Sequence, residues 1–280
     1  MKKRRLILIV SFMVTFCLLL SLSSCLFELK QVNFVFFGDY GQVVNNTTTR
    51  HFSTSSQMDK VRNSASFDYG TSLFLLSKQK YIDELEVNNP YLEVVSMEAV
   101  FPNAMLVKVK ERQPLFFMNN NSTNCILDKD FKILESSNDI DISTLIEIKF
   151  LSQNNTFLSY YDFFEISSFA YDNGQFLQED NLVFQSIAKI FYYFSAYESD
   201  FVQKVKSLVV VENQTTANLQ ILTSSPYGIT LFLENVLKNF NSKLQKLLDA
   251  LFTLRKNESI KTTYGVLKID NHQNCYWNNL

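Results

Sequence analysis

The sequence is poor in the residues that most catalytic and metal centres require. Histidine occurs only at His51 and His272, so neither a histidine-based triad nor a multi-histidine metal site is well supplied. The motifs HExxH and GxSxG and a phosphate-binding glycine loop are absent. A formal net charge of −2 gives no basic surface for nucleic acid. We predict no catalytic, cofactor-binding or metal-binding residues, and therefore no enzyme.

Carboxylates are the remaining candidates for chemistry. Asp83 and Glu84 are adjacent, but surface helices produce such pairs routinely, so an acid/base dyad is a weak reading. Asp128, Asp130 and Glu135 have part of a calcium-loop spacing, yet the glycine and the third oxygen ligand of such loops are missing. We interpret these residues as parts of solvated helices and turns.

The cysteines do not form a disulfide framework. Of the four, Cys17 and Cys25 lie in an apolar segment, which leaves Cys125 and Cys275 for the rest of the chain. One bridge between these two is conceivable in an oxidising compartment. Two separate buried thiols are the favoured interpretation, because sequence alone does not bring such distant positions together.

The amino-terminal segment predicts a membrane anchor. Residues 1–5 read MKKRR, and residues 6–27 carry no charge. At about 1.5 Å per residue a helix of this length crosses the roughly 30 Å hydrocarbon layer. The positive-inside rule then leaves residues 1–5 in the cytoplasm and the chain after Phe27 outside, as in a single-pass bacterial membrane protein.

Two other readings of the same segment remain open. A basic start followed by an apolar core is also how a cleaved secretory signal looks, although this apolar run is long for one. Residues 22–25, LSSC, resemble a lipobox, which would leave Cys25 acylated in an exported, ligand-binding lipoprotein. An extracytoplasmic hydrolase survives as a third hypothesis only if an unrecognised carboxylate site forms.

Residues 67–117 predict one helix followed by a strand pair. Gly70 breaks the chain, Ser77 can cap a helix that Pro90 ends, and Pro102 with Asn103 makes the turn between the strands. Alternation of apolar residues indicates half-buried strands. The apolar positions are Tyr81, Ile82 and Leu85 in the helix, Val95, Met97, Ala99 and Phe101 in the first strand, and Met105, Val107 and Val109 in the second.

This order of signals resembles the POTRA domain of the FtsQ/DivIB family of bacterial cell-division proteins. The resemblance implies a three-stranded sheet with helices over residues 28–115, with Leu29 to Gly38 as its first strand. The polar stretch from Tyr40 to Ser66 is read as an exposed excursion, which displaces the family's first helix towards Gln57–Arg62 or removes it. The matching residues are Gly70, Leu73, Phe74, Leu85, Pro90, Val100, Pro102, Leu106, Val107, Val109, Glu111, Arg112 and Pro114.

The rest of the chain predicts a second, mixed β-rich domain over residues 116–280. Residues 125–134 have hairpin character and resemble the hairpin that opens the family's second domain, with Phe131 where glycine is usual. Apolar periodicity then predicts further elements. These are a helix over Asn181–Tyr197, strands over Val205–Glu212, Ala217–Thr223 and Gly228–Leu233, a core-packed helix over Glu234–Leu254 and a last strand over Tyr264–Asp270.

The carboxy-terminal helix and strand also resemble FtsQ. Lys243, Leu244, Tyr264, Leu267, Lys268, Asp270 and Trp277 match the family pattern, while Val266 stands where the family has aspartate. The fold class expected from both resemblances is α+β. It comprises a single amino-terminal transmembrane helix, a POTRA domain and a second domain with an open carboxy-terminal edge strand.

The resemblance implies a membrane-anchored scaffold at the division septum that works by binding. Its implied partners are single-span coiled-coil proteins of the FtsL and DivIC/FtsB type, and the complex would help regulate septal peptidoglycan synthesis. We expect an open edge at Tyr264–Asp270 to accept an extended partner segment by strand addition. The predicted partner-binding residues are Tyr264, Val266, Leu267, Lys268, Ile269, Asp270 and Trp277.

Overall fold

A computed structural model gives the fold over most of the chain. It describes residues 12–15, 26–37, 55–120, 123–139, 141–159, 181–213, 216–223, 228–256 and 265–279, together with Phe163, Gly174 and Leu177. Most of the predicted membrane segment, Cys25 of the lipobox, the polar residues 38–54 and Tyr264 lie outside the described residues. The described chain divides into two compact units between Arg112 and Gln113. The predicted domain ranges, 28–115 and 116–280, stay a prediction beside this division.

Unit 1 contains a three-stranded sheet and two helices. The sheet order is β1-β3-β2, with β1 parallel and β2 antiparallel to β3. The predicted first strand and the displaced first helix are therefore both present. The elements are β1 (Gln31–Phe37), α1 (Ser55–Asn63), α2 (Lys78–Asn88), β2 (Leu92–Val100) and β3 (Ala104–Glu111).

The core of unit 1 follows from the two periodicities in the sequence. Met105, Val107 and Val109 alternate along β3 and are fully buried, as expected of a central strand with one face in the core. Tyr81 and Leu85 lie one turn apart on α2 and are buried in the same core as these β3 residues. Helix α2 begins after Ser77 as predicted, but the Ser77 side chain makes no capping hydrogen bond.

Strand β2 differs from the prediction in which residues share a face. Its register against β3 shifts between Val94 and Ser96, which is a β-bulge that inserts one extra residue. Val95 is therefore 52% exposed, whereas Met97 is buried. Phe101 lies in the turn after the strand and is also exposed. A simple alternation of apolar residues gives no sign of such a bulge.

Unit 2 is a large mixed sheet with helices that pack into its core. Ten strands form it in the order β13-β12-β11-β10-β9-β7-β4-β5-β6, with β8 beside β7. The elements are β4 (Phe116–Asn120), β5 (Thr123–Leu127), β6 (Ile133–Ser137), β7 (Ile146–Leu151), β8 (Phe157–Leu158), α3 (Leu182–Tyr197), α4 (Phe201–Lys204), β9 (Val205–Asn213), β10 (Thr216–Thr223), β11 (Ile229–Leu233), α5 (Phe240–Lys256), β12 (Gly265–Ile269) and β13 (Cys275–Asn279).

The β5–β6 hairpin forms as predicted, with Phe131 at the turn position where the family pattern has glycine. Phe131 has a φ of 57°, a left-handed conformation that costs a side chain roughly 1 kcal/mol or more. Its ring is fully buried and stacks on Phe116 at 4.7 Å between centroids, with Phe184 at 5.0 Å. We infer that this aromatic packing offsets the backbone strain. Asp128 supports the turn by accepting hydrogen bonds from the N–H groups of Asp130 and Lys132.

Helix α5 packs in the core as predicted but begins later than expected. Leu244, Leu247 and Leu251 lie in the core of unit 2, so core packing is confirmed for this stripe. The helix starts at Phe240 rather than Glu234, because the preceding residues form an irregular turn with positive φ at Asn235 and Asn239. Asparagine tolerates this conformation better than other residues with a side chain.

Candidate functional site

The predicted partner-binding strand lies inside the sheet rather than at its edge. β12 pairs in parallel with β11 on one side and antiparallel with β13 on the other. The prediction that Tyr264–Asp270 forms the open edge is therefore wrong over Gly265–Ile269. The sequence pattern did not reveal β13, which occupies that place. Among the described residues, β13 is the last strand at this end of the sheet, and it carries Trp277.

One face of the β12–β13 pair belongs to the core. Leu267 and Ile269 are buried there, so their side chains fix the strand to unit 2 rather than lie on an exposed surface. Trp277 is directly opposite Leu267 and packs partly buried against the same core. Gly265 makes room for the indole, since a Cβ at that position would come within 2.4 Å of Trp277 Cζ2.

The opposite face of the pair is polar and partly exposed. Lys268 forms an ion pair with Glu234, and its ammonium lies 5.3 Å from the centroid of the Phe232 ring. Tyr276, opposite Lys268, is 46% exposed. Lys268, Glu234 and Tyr276 border a shallow depression of about 500 Å³. Its lining residues are Glu234, Lys268, Asp270, Asn271, His272, Tyr276 and Asn278.

Asp270 organises the turn that joins β12 to β13. Its carboxylate accepts hydrogen bonds from the backbone N–H groups of His272 and Asn274, each at 2.8 Å, and from the Asn274 amide and the Tyr276 hydroxyl. Desolvation alone would raise the pKa of Asp270, but these hydrogen bonds outweigh it and lower the pKa to about 2. Asp270 is therefore a structural residue whose charged form holds the turn closed.

Helix α5 stabilises the two turns beside the β12–β13 pair through two of its lysine side chains. The fully buried Lys243 donates its ammonium hydrogens to the carbonyl oxygens of Glu234 and Asn235, at 2.6 and 2.8 Å. Desolvation lowers the pKa of Lys243, while the nearby Glu234 carboxylate opposes that shift. Lys246 donates to the carbonyl oxygen of Gln273 at 2.9 Å. The helix thus fixes the turn after β11 and the turn before β13 together.

The backbone of β13 presents hydrogen-bonding groups at the end of the sheet. The N–H of Asp270 donates to Asn274 at 3.1 Å, whereas the C=O of Ile269 is bonded to Glu234 on the β11 side. Paired and unpaired positions alternate along antiparallel strands. The N–H and C=O groups of Cys275 and Asn279 therefore point away from β12, and the described residues place no further strand there.

The predicted site residues thus separate into three groups. Val266 and Lys268 lie on the half-exposed face of β12, Leu267 and Ile269 lie in the core, and Asp270 and Trp277 shape the hairpin. Whether they bind a partner stays a prediction. Sequence reasoning missed the edge strand itself. The polar run NHQN followed by CYW, residues 271–277, is a turn signal followed by strand-forming aromatics that could have indicated it.

The described residues also include the two cysteines that follow the apolar segment. Cys125 is buried, Cys275 is exposed, and both are free thiols. The prediction of two separate thiols is therefore confirmed, whereas the prediction that both are buried is wrong for Cys275. No group of three or more His, Cys, Asp or Glu side chains that could hold a metal ion occurs among the described residues. Within the same residues, no helix combines the length and apolar character needed to traverse a bilayer.

Comparison with known proteins finds a match within unit 1. Residues 53–112 match the family model described as "POTRA domain, FtsQ-type", which covers α1, α2, β2 and β3. This part of unit 1 therefore resembles a POTRA domain of the FtsQ type.

The chain is also similar to proteins named cell division protein DivIB. The chain is 30% identical over 97 residues to cell division protein DivIB of Clostridium acetobutylicum, which is 35% of this chain and 39% of that protein. It is 28% identical over 89 residues to DivIB of Clostridium botulinum strain Hall, 32% of this chain and 34% of that protein. The matches thus span well under half of the relatives' length. The predicted resemblance to the FtsQ/DivIB family is confirmed.

Proposed function

We propose that this protein is a membrane-anchored scaffold of the bacterial division machinery that acts by binding rather than by catalysis. The similarity to proteins named cell division protein DivIB supports a role in cell division, as does the match of residues 53–112 to the FtsQ-type POTRA domain. The proposed partners are single-span coiled-coil proteins of the FtsL and DivIC/FtsB type. Through them the chain would help regulate septal peptidoglycan synthesis from the outer side of the cell membrane.

The observation that carries the binding mechanism is the position of β13. It ends the described sheet and directs backbone N–H and C=O groups of Cys275 and Asn279 outward. An extended segment of a partner can add to such an edge as a further strand. The proposed strand-addition site is thus β13, one strand beyond the position expected from the sequence.

Side chains beside this edge would provide selectivity. On the outer face, Lys268 of β12 and Tyr276 of β13 lie directly opposite each other, and Glu234 pairs with the lysine. A partner strand that crosses here would meet a cation, a carboxylate and an aromatic hydroxyl. Val266 adds a half-buried apolar position on the same face.

A proline in β13 tests strand addition without changing the core. Because the Cys275 N–H points away from β12, Cys275→Pro removes a group available to a partner and leaves the β12–β13 hydrogen bonds in place. The assay is co-purification of the full chain, reconstituted in bilayer discs, with co-expressed FtsL-type and DivIC-type proteins. We expect Cys275→Pro to weaken capture by about tenfold or more, or roughly 1.4 kcal/mol.

Cys275→Ala is the matched control, since it removes the thiol but keeps the N–H. It should capture partners as the parent does. The fluorescence of Trp277, the one tryptophan of the chain, reports whether the hairpin remains intact in both variants. Equal capture by the proline and alanine variants, with an intact hairpin, would contradict strand addition at β13.

A further inference from the structure

Three chain segments meet at one end of unit 1. They are the residues just before β1, the loop before α2 and the turn between β2 and β3. Backbone hydrogen bonds join them: the N–H of Leu73 donates to Phe27 at 2.8 Å, and the N–H of Lys30 donates to Asn103 at 2.8 Å. This end of unit 1 is therefore a structured surface, because backbone hydrogen bonds join its three segments.

Each of these segments contributes one aromatic ring to a cluster. Phe27, Phe74 and Phe101 form a triangle with ring centroids 5.4 to 5.5 Å apart, within the range of favourable aromatic pairs. The cluster lies at the surface, with Phe74 67% and Phe101 57% exposed. Leu26 and Leu75 extend it and are 62% and 80% exposed. We call these five residues the aromatic cap.

The position of the cap in the sequence indicates what covers it. The uncharged run of residues 6–27 ends within the cap, because Leu26 and Phe27 belong to both. A membrane helix that ends here would place the cap at the boundary between lipid and water. The joined segments, residues 26–30, 70–75 and 101–103, contain only two charged residues, Glu28 and Lys30, so little charge would have to lose its hydration.

We propose that the aromatic cap of unit 1 inserts into the headgroup region of the lipid bilayer and holds the POTRA domain against the membrane. Aromatic side chains favour this depth, where apolar rings contact lipid while the backbone remains hydrated. Rings held by hydrogen-bonded loops lose little further conformational freedom on insertion. This inference rests on the membrane anchorage in the proposed function and adds a second, peripheral contact to it.

Depth-dependent fluorescence quenching tests the proposal in the full chain. In a Trp277→Phe background, Phe74→Trp introduces a single tryptophan into the cap. The protein is reconstituted in phosphatidylethanolamine and phosphatidylglycerol vesicles with or without brominated acyl chains. We expect brominated lipid to reduce the emission at least about twofold, because a tryptophan in the interfacial region lies close to the upper acyl chain.

The control places the tryptophan at a site of similar exposure elsewhere in unit 1. Val87 is 59% exposed near the far end of α2, and Val87→Trp should show little quenching. Flotation of the vesicles separates the two proposals. Failure of the chain to float with lipid would overturn the anchorage and the cap together. If the chain floats with the vesicles but quenching at Phe74→Trp is no greater than at Val87→Trp, membrane insertion of the aromatic cap is wrong and the anchorage stands. The cap would then be covered by another protein or by a second copy of the chain.

Discussion

Substitution of Gly265 by alanine tests how the edge hairpin is packed. An added Cβ would lie 2.4 and 2.5 Å from two atoms of the Trp277 ring and 2.8 Å from the Asn278 carbonyl oxygen. All three distances are shorter than van der Waals contact, so the ring must move. Overpacking of this kind usually costs about 1–3 kcal/mol. We expect Gly265→Ala to lower the free energy of unfolding by about 2 kcal/mol, in the middle of that range.

Two measurements check this expectation. Urea unfolding followed by circular dichroism gives the change in stability. The emission maximum of Trp277 should shift to longer wavelength, because a displaced indole meets more water. Partner capture should weaken as well if β13 is the binding edge, since the ring is attached to that strand.

A double-mutant cycle separates the clash from other effects of alanine. With Trp277→Leu in place the two ring contacts disappear and only the carbonyl contact remains, while alanine is a better strand residue than glycine by roughly 0.5–1 kcal/mol. Gly265→Ala should then cost little, which gives a coupling of at least about 1 kcal/mol between the two positions. Additive effects would refute the reasoning that Gly265 exists to admit the indole.

Three further outcomes follow from the structure. The folded-state pKa of Asp270 is about 2, below its unfolded value, so the charge contributes fully to the free energy of unfolding above about pH 4. This contribution is lost as the pH falls towards 2. Urea titrations at several pH values should show the loss, and Asp270→Asn should abolish this pH dependence. Arg112→Ala should cost about 3–5 kcal/mol in unit 1, measured by hydrogen exchange, because the Glu86 carboxylate, which also accepts a hydrogen bond from the Val94 N–H, loses the guanidinium that lies 3.0 Å away. An unchanged exchange rate would contradict a structural role for the pair. In a background without the two amino-terminal cysteines, a thiol reagent should label Cys275 in the native protein and Cys125 only after unfolding, because burial raises the pKa of Cys125 to about 12.

Sequence patterns predicted unit 1 well because its signals are local. The alternation along β3 and the helix between Ser77 and Pro90 depend on neighbours only a few residues away. The bulge at Val95 was missed, since a bulge depends on pairing with another strand. In unit 2 the start of α5 was predicted too early for a similar reason. The turn before the helix is stabilised by the buried Lys243 ammonium, which donates to the Glu234 carbonyl oxygen. Apolar periodicity does not reveal such a contact.

The sequence indicates the right part of the chain for the end of the sheet but the wrong strand for its edge. The alternation in β12 correctly separates Leu267 and Ile269 from Val266 and Lys268. It does not say which pair faces the core, because that depends on where α5 packs. It also does not show whether another strand follows, and β13 is short, rich in asparagine and without clear alternation.

The left-handed Phe131 links the identity of a turn residue to the volume of the core behind it. Exchanging Phe131 for glycine alone would relieve the positive φ but would leave a void beside Phe116 and Phe184, which contact the ring. A variant that also enlarges a neighbouring side chain to fill that space would keep both the turn and the packing. The conformation of one turn residue is thus coupled to how completely the adjacent core is filled.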